Sequence, residues 1–317
     1  MVFGLIYRRQ DVSIRHVFFW CFCVIIEGVI LGFEMHTPLG FCTPLKGKRL
    51  DCMIKLIATD MDGTFLNSQG AYEKERLAKL LEAFKEKGMI FTVSSGRSLL
   101  AIEKLFEDFL EDIAIIAENG SIVQYQNKII FADYMTREQY LHIKDKVFEN
   151  PYHPGKNLLL SGKNGSYVLK SSSQDYIDKS NFYYENVQLV SDFEAINDDI
   201  FKLTTNFTGD TVAQGEEWLN QNVDYARAVT TGFDSIDIVL SEVNKAFGLS
   251  HLCDSLGIKK EDVIAFGDNL NDYEMMHFAG HSVAMENARD AIKEVANEVI
   301  GHCDDSSVLT YMEGLVK

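Results

Sequence analysis

The sequence predicts an α/β protein: a doubly wound, mostly parallel sheet with a second, α+β unit inserted into it. Three observations carry this. From residue 53 onward, short apolar runs alternate with stretches of helical periodicity. The alternation breaks between about 134 and 232 and then resumes. Residues 57–67, "IATDMDGTFLN", place two carboxylates and a glycine directly after the first apolar run, where a strand gains nothing from them.

The elements follow in order. "IKLIAT" (54–59) is an apolar run suited to a buried parallel strand. Residues 72–87 put Leu77, Leu80, Leu81 and Phe84 on one helical face, and Gly88 supplies a C-terminal stop. "MIFTVS" (89–94) is a second strand. Residues 99–110 repeat the helical spacing through Ile102, Leu105, Phe106 and Phe109, and "IAIIA" (113–117) is a third strand. "ENG" (118–120) turns into a hairpin over 121–131. The middle region holds Pro151, Pro154 and a Ser/Gly/Asn-rich stretch at 161–173, with isolated elements at 202–206 and 210–221. "SIDIVL" (235–240) is expected to restore the alternation. A helix over 244–256 then stops at Gly257, and "VIAFGD" (263–268), a helix over 271–279, "SVAM" (282–285) and a helix over 288–296 complete it. The expected domains are therefore 53–133 with 233–317 as the main unit, and 134–232 as the insertion.

The chain has 317 residues, a size suited to two domains. Hydrophobic residues make up 46% and charged residues 24%, as in ordinary globular proteins. A formal net charge of −17 argues against a nucleic-acid binder, which needs a basic surface. Residues 1–52 carry a net of +2, which leaves −19 on the rest. Four of the six cysteines, Cys21, Cys23, Cys42 and Cys52, lie in that first segment. With Cys253 and Cys303 alone in the body, no disulfide framework is indicated, and a reducing, cytoplasmic setting is expected. No CxxC or HExxH pattern supports zinc.

Residues 17–33, "VFFWCFCVIIEGVILGF", follow three arginines and hold one charge, Glu27. They read as a membrane anchor, a signal peptide or part of an extension upstream of a true start at Met53. An extension or mis-start is preferred, and a membrane-anchored form is the alternative.

In a doubly wound sheet, ligands bind at the carboxyl ends of strands. Four motifs stand at such ends. Asp60 and Asp62, with Met61 between them and Gly63-Thr64 behind, could form a surface turn or could converge on one magnesium ion. Ser94-Ser95-Gly96-Arg97 could cap the next helix or bind an anion. Lys245 could be a solvated lysine or a fixed positive charge. "FGDNLND" (266–272) supplies Asp268, Asn271 and Asp272, where Asp268 or Asn269 could equally serve as a helix cap. Each structural reading is reasonable singly, but four chemical groups after four strands point to one site.

These motifs, with "ENG", "NKAFGLSHL" (244–252) and "VAMENA" (283–288), resemble the haloacid dehalogenase superfamily of phosphohydrolases, in particular its Cof-type branch with a type IIB cap. The likeness spans 53–317 and leaves out 1–52. One departure is Ser95, where members similar to this chain usually have threonine. The resemblance implies a magnesium-dependent phosphatase of small phosphorylated metabolites, sugar phosphates favoured, working through an aspartyl-phosphate. Asp60 would be the nucleophile and Asp62 the general acid and base. Met61, Ser95, Gly96, Lys245 and Asn271 would bind phosphate. Asp60, Asp62 through its backbone carbonyl, and Asp268 would hold Mg2+, with Asp272 orienting that shell. Alternatives are a phosphomutase, or a regulatory or membrane-tethered binding protein keeping the fold. In the inserted unit, His142, His153, Trp218 and Arg227 read as core or surface residues.

Overall fold

The computed structural model describes residues 23–26, 29–32, 54–152, 155–232 and 234–317. The chain divides into two units, Met1–Asp51 and Cys52–Lys317. Within the first, strands β1 (Cys23–Ile26) and β2 (Val29–Gly32) pair antiparallel. The rest of the 17–33 segment lies outside the described residues. Among the described residues, no helix is long and apolar enough to cross a membrane.

The second unit opens with β3 (Leu56–Thr59), α1 (Lys74–Lys87), β4 (Ile90–Ser94), α2 (Leu99–Leu105) and β5 (Ile113–Ala117). Leu77, Leu80, Leu81 and Phe84 are the buried face of α1, and Gly88 ends it in the left-handed region, as the sequence predicts. Ser98 caps α2 by accepting from Ala101 N, but α2 stops at Leu105 rather than 110. β6 (Ile122–Tyr125) and β7 (Lys128–Ala132) form the expected hairpin.

The middle of the chain runs α3 (Arg137–Glu149), β8 (Leu158–Gly162), β9 (Ser166–Leu169), α4 (Gln174–Tyr183), β10 (Val187–Val190), β11 (Ile200–Asn206), α5 (Val212–Asn222), β12 (Ala226–Gly232) and β13 (Ser235–Leu240). The chain closes with α6 (Lys245–Leu256), β14 (Val263–Gly267), α7 (Tyr273–Phe278), β15 (His281–Met285), α8 (Asp290–Val295), β16 (Glu298–Ile300) and α9 (Ser307–Val316).

These strands make two sheets. The larger has the order β16-β15-β14-β3-β4-β5-β6-β7, parallel from β16 to β5 and antiparallel beyond. Its centre is apolar because both faces are covered: Leu56, Ile57, Phe91, Val93, Ile264 and Phe266 are all buried. Burying each such side chain stabilises the fold by about 1.5–3 kcal/mol. The chain enters the sheet at β3 and adds β4 and β5 on one side, then returns to add β14 on the other. The order therefore reverses beside β3, which places the ligand-binding crevice at the ends of β3 and β14.

The second sheet has the order β10-β9-β8-β11-β13-β12 and its own apolar cluster, including Leu158, Leu160, Leu203, Ile236 and Ile238. Here the sequence expectation needs correction. Ser235–Leu240 does not resume the parallel sheet. It pairs antiparallel with β11 (Leu203↔Ile238) and with β12 (Ala228↔Ile238). The short link between β12 and β13 returns the chain at once, which suits a hairpin and leaves no room for a parallel crossover. The inserted sheet thus extends to Leu240 rather than ending near 232.

Candidate active site

At the end of β3 the backbone turns sharply. Asp60 N donates to Phe266 O at 3.0 Å, which joins it to β14, and Phe65 N donates back to Asp60 O at 3.2 Å. Gly63 makes the turn with φ +81°, and a Cβ there would stand 2.6 Å from Asp268 Oδ2. Met61 points its side chain into the core, fully buried, which leaves only its backbone near the crevice.

Lys245 is the first residue of α6, capped by Asn244, whose side chain accepts from Phe247 N at 2.9 Å. The helix can seat so closely because Gly120 faces it: a Cβ on Gly120 would lie 2.1 Å from Asn244 O. The Lys245 ammonium, fully buried, donates to Asp60 Oδ1 at 2.5 Å and to Asp272 Oδ1 at 2.6 Å. Asp272 Oδ2 accepts from the amides of Asp268 and Asn269, both at 3.0 Å. Asp268 Oδ1 accepts from Thr64 Oγ1 at 2.7 Å. Groups from residues 60, 64, 245, 268 and 272 thus form one network.

Carboxylate oxygens of Asp60, Asp268 and Asp272 lie within 4.8 Å of one another. Burial, then the Asp272 carboxylate, pushes the Asp60 carboxyl well above the usual carboxylate range. The same two causes push Asp268 up to about 6. Burial alone would lower the Lys245 pKa, but Asp272 and Asp60 outweigh it and hold it above the ordinary lysine value. Three carboxylates face one ammonium, so the cluster carries surplus negative charge in a desolvated place.

Asp62 behaves differently. Its side chain is turned out of the cluster, exposed, and held by Arg97 through Nε at 2.9 Å and Nη2 at 2.5 Å. The oxygens that gather beside Asp60 are those of Asp268 and Asp272, and Asp272 belongs to the cluster itself. Ser95 is buried and its Oγ accepts from Arg97 N at 3.2 Å. Ser94, also buried, has no hydrogen-bond partner for its Oγ among the described residues.

A cavity of about 60 Å³ lies between the two sheets, lined by Lys245, Asn271, Asn119, Asp237, Arg227 and Glu274 among others. A larger open depression of about 730 Å³ runs along α5 and contains none of these groups. Arg227, expected in the core or on the surface, instead reaches from β12 to Glu274 on α7 at 3.1 Å. Its buried Nε has no hydrogen-bond partner among the described residues. His142 bonds Tyr225 within the inserted unit, and His153 lies outside the described residues. Asn119, Asp237, Arg227 and Glu274 were not singled out as site residues by sequence. The usable signal was Asp237, a lone carboxylate in an apolar strand.

Residues 57–312 match the haloacid dehalogenase-like hydrolase family. The Escherichia coli protein 5-amino-6-(5-phospho-D-ribitylamino)uracil phosphatase YbjI is 32% identical over 265 residues, 83% of this chain and 97% of its own length. The Bacillus subtilis phosphatase YwtE, of the same name, is 29% identical over 83% of this chain and 98% of its own. Among solved structures, SMU.1108c from Streptococcus mutans has a TM-score of 0.76 at 29% identity, covering 82% of this chain and 98% of its own. The HAD subclass IIB sugar phosphatase BT4131 shares the fold, with a TM-score of 0.69 at 20% identity, covering 82% and 99%. The parallel sheet with its inserted α+β unit, the carboxylate cluster at the switch point and these matches agree: the chain belongs to the haloacid dehalogenase-like hydrolases, as a Cof-type phosphatase acting on phosphoric monoesters.

Proposed function

We propose that the protein hydrolyses phosphate monoesters of small polyhydroxylated metabolites by way of an aspartyl-phosphate on Asp60. The observation that carries this reading is the Lys245 bridge between Asp60 and Asp272 at the end of β3. It fixes a carboxylate oxygen beside a permanent positive charge, which is what capture of a phosphate dianion by a side-chain nucleophile requires.

An Asp60 oxygen attacks phosphorus, and the bond from phosphorus to the ester oxygen breaks. Asp62 gives its proton to that oxygen as the alcohol leaves, then takes one from the water that cleaves the acyl phosphate and restores Asp60. For this, Asp62 must leave Arg97, which now occupies both its oxygens. Lys245, the Ser95 hydroxyl, the Gly96 and Met61 backbone and Asn271 hold the phosphate oxygens.

The donor set fits a hard divalent cation: three carboxylates within 4.8 Å, with one of them pushed up to about 6 for want of compensation. Asp60, Asp268 and the Asp62 carbonyl would hold Mg2+, with Asp272 fixing Asp268 through its amide. Bound there, it would offset the repulsion between phosphate and carboxylates.

The relatives named above act on a phosphorylated ribityl pyrimidine. That polyol phosphate is the first candidate for this chain, and the polar lining of the cavity by Asn119, Asp237, Thr231 and Arg227 suits such a leaving group. Phosphate release measured with and without Mg2+ over a panel of sugar, polyol and cofactor phosphates tests the reading. Polyol phosphates should lead, and Asp60→Asn should abolish release. Undiminished turnover by that variant would reject the assignment.

A further inference from the structure

A second buried charge cluster lies where the inserted sheet meets the larger one. Lys202 sits in β11, only 2% exposed. Its ammonium donates to the backbone carbonyl of Gly96 at 2.6 Å and pairs with Asp237 at 3.0 Å and with Glu118 at 3.4 Å. Glu118 and Asp237 are themselves almost fully buried. A lysine at this depth keeps its charge only against strong compensation. Burial alone would lower its pKa, yet Asp237, Tyr184 and Glu118 hold it above the ordinary value.

The contacts between the two sheets here are polar. Ser161 of β8 donates to Glu118 at 2.6 Å, Lys202 of β11 donates to Gly96, and Asp237 of β13 accepts from Asn119 at 3.2 Å. All three end on the Ser95–Arg97 loop or on the turn that braces it. Asn119 N donates to Ser95 O and Glu118 N to Arg97 O, each at 3.0 Å. Glu118 and Asn119 adopt φ of 52° and 57°, a left-handed backbone that the surrounding bonds must sustain.

The Gly96 carbonyl shares a peptide unit with Arg97 N–H. Because that unit is planar, a donor that fixes the carbonyl also fixes the direction of the N–H. The N–H in turn donates to Ser95 Oγ at 3.2 Å. With one lone pair so occupied, the Ser95 hydroxyl has its proton free for a phosphate oxygen. Lys202, the Gly96–Arg97 peptide and Ser95 therefore form a chain in which each bond polarises the next.

We propose that Lys202 is a positioning residue for phosphate: delivered by the inserted sheet, its ammonium sets the Gly96–Arg97 peptide so that the Ser95 hydroxyl faces the ligand. The phosphate site is then complete only while the inserted unit is docked. This rests on Ser95 binding phosphate in the proposed function.

The test is calorimetric titration of inorganic phosphate, in the presence of magnesium chloride, into the wild type, Lys202→Met and the double variant Lys202→Met/Asp237→Asn. The double variant removes one charge of each sign and so leaves the net charge of the cluster unchanged, and its melting temperature is read alongside. It should bind phosphate about tenfold more weakly, roughly the worth of one charged hydrogen bond. KM for p-nitrophenyl phosphate should rise alongside, because neither measurement involves contacts to a large leaving group. Unchanged phosphate affinity would overturn the inference, whether the melting temperature falls or KM changes only for large substrates. Loss of turnover in the wild type would instead strike the proposed function, since phosphate binding is read without turnover.

Discussion

Arg97 holds Asp62 by a two-pronged contact, Nε at 2.9 Å and Nη2 at 2.5 Å, while Asp60, two residues earlier, is gripped by Lys245. The two carboxylates of one turn thus face different cations, one exposed and one buried. That difference separates their chemistry.

For Asp62→Asn, the outcome depends on the leaving group. An alkyl phosphate needs a proton on the departing oxygen, so its turnover should fall by about 10²–10⁴. p-Nitrophenolate leaves without one. Stopped-flow absorbance should then show a burst of about one equivalent, followed by slow turnover, because the acyl phosphate forms but lacks its base. Equal losses on both substrates with no burst would contradict the assignment.

Removing metal should expose the repulsion among Asp60, Asp268 and Asp272. Mg2+ should raise the melting temperature of the wild type, with the gain growing with concentration. Asp268→Asn should lose most of that response, and scanning calorimetry reads both. Without metal the variant should be the more stable of the two by on the order of 1–2 kcal/mol, since it lacks a half-buried carboxylate whose pKa is raised.

The same carboxyl sets a pH dependence. Asp268 is pushed up to about 6 by burial and by Asp272, above its value in the unfolded chain. Folded protein therefore binds this proton first, and in EDTA stability contributed by the group is present at low pH and lost as pH rises through 6. Urea midpoints of wild type and Asp268→Asn, compared between pH 5 and 7, should diverge as pH rises, the wild type becoming the weaker.

Arg227 and Glu274 join β12 to α7 beside the cavity, each about a third exposed. As an ion pair this contributes under about 1 kcal/mol to stability. Arg227→Gln should nonetheless raise KM for polyol phosphates severalfold, because Arg227 lines the cavity assigned to the leaving group. p-Nitrophenyl phosphate kinetics should barely move.

Much of this was readable from residues alone. Leu56–Thr59, Ile90–Ser94 and Ile113–Ala117 are short apolar runs with no room for a helix, and each forms a central parallel strand. The acidic groups at residues 60, 268 and 272, and Lys245, meet because the sheet reverses beside β3. Ser235–Leu240 joins the inserted sheet against expectation, because a strand's pattern does not say which sheet it joins. Its alternation of Ile236 and Ile238 with Asp237 suits an antiparallel strand with one polar face. Lys202 gives no signal in the sequence, because a single lysine is ordinarily solvated. Only the approach of β11 to Gly96 gives it a task. Helix α2 ended early at Leu105, although Phe106 still packs into the core, so apolar spacing outlasted helical geometry.

The proposed covalent intermediate can be trapped directly. Asp62→Asn protein quenched with acid just after its p-nitrophenyl phosphate burst, reduced with borohydride and digested, can be read by peptide mass spectrometry. Homoserine at residue 60, the reduction product of an aspartyl-phosphate, is expected in a fraction matching the burst. An unmodified Asp60, or modification at any other carboxylate, would contradict it.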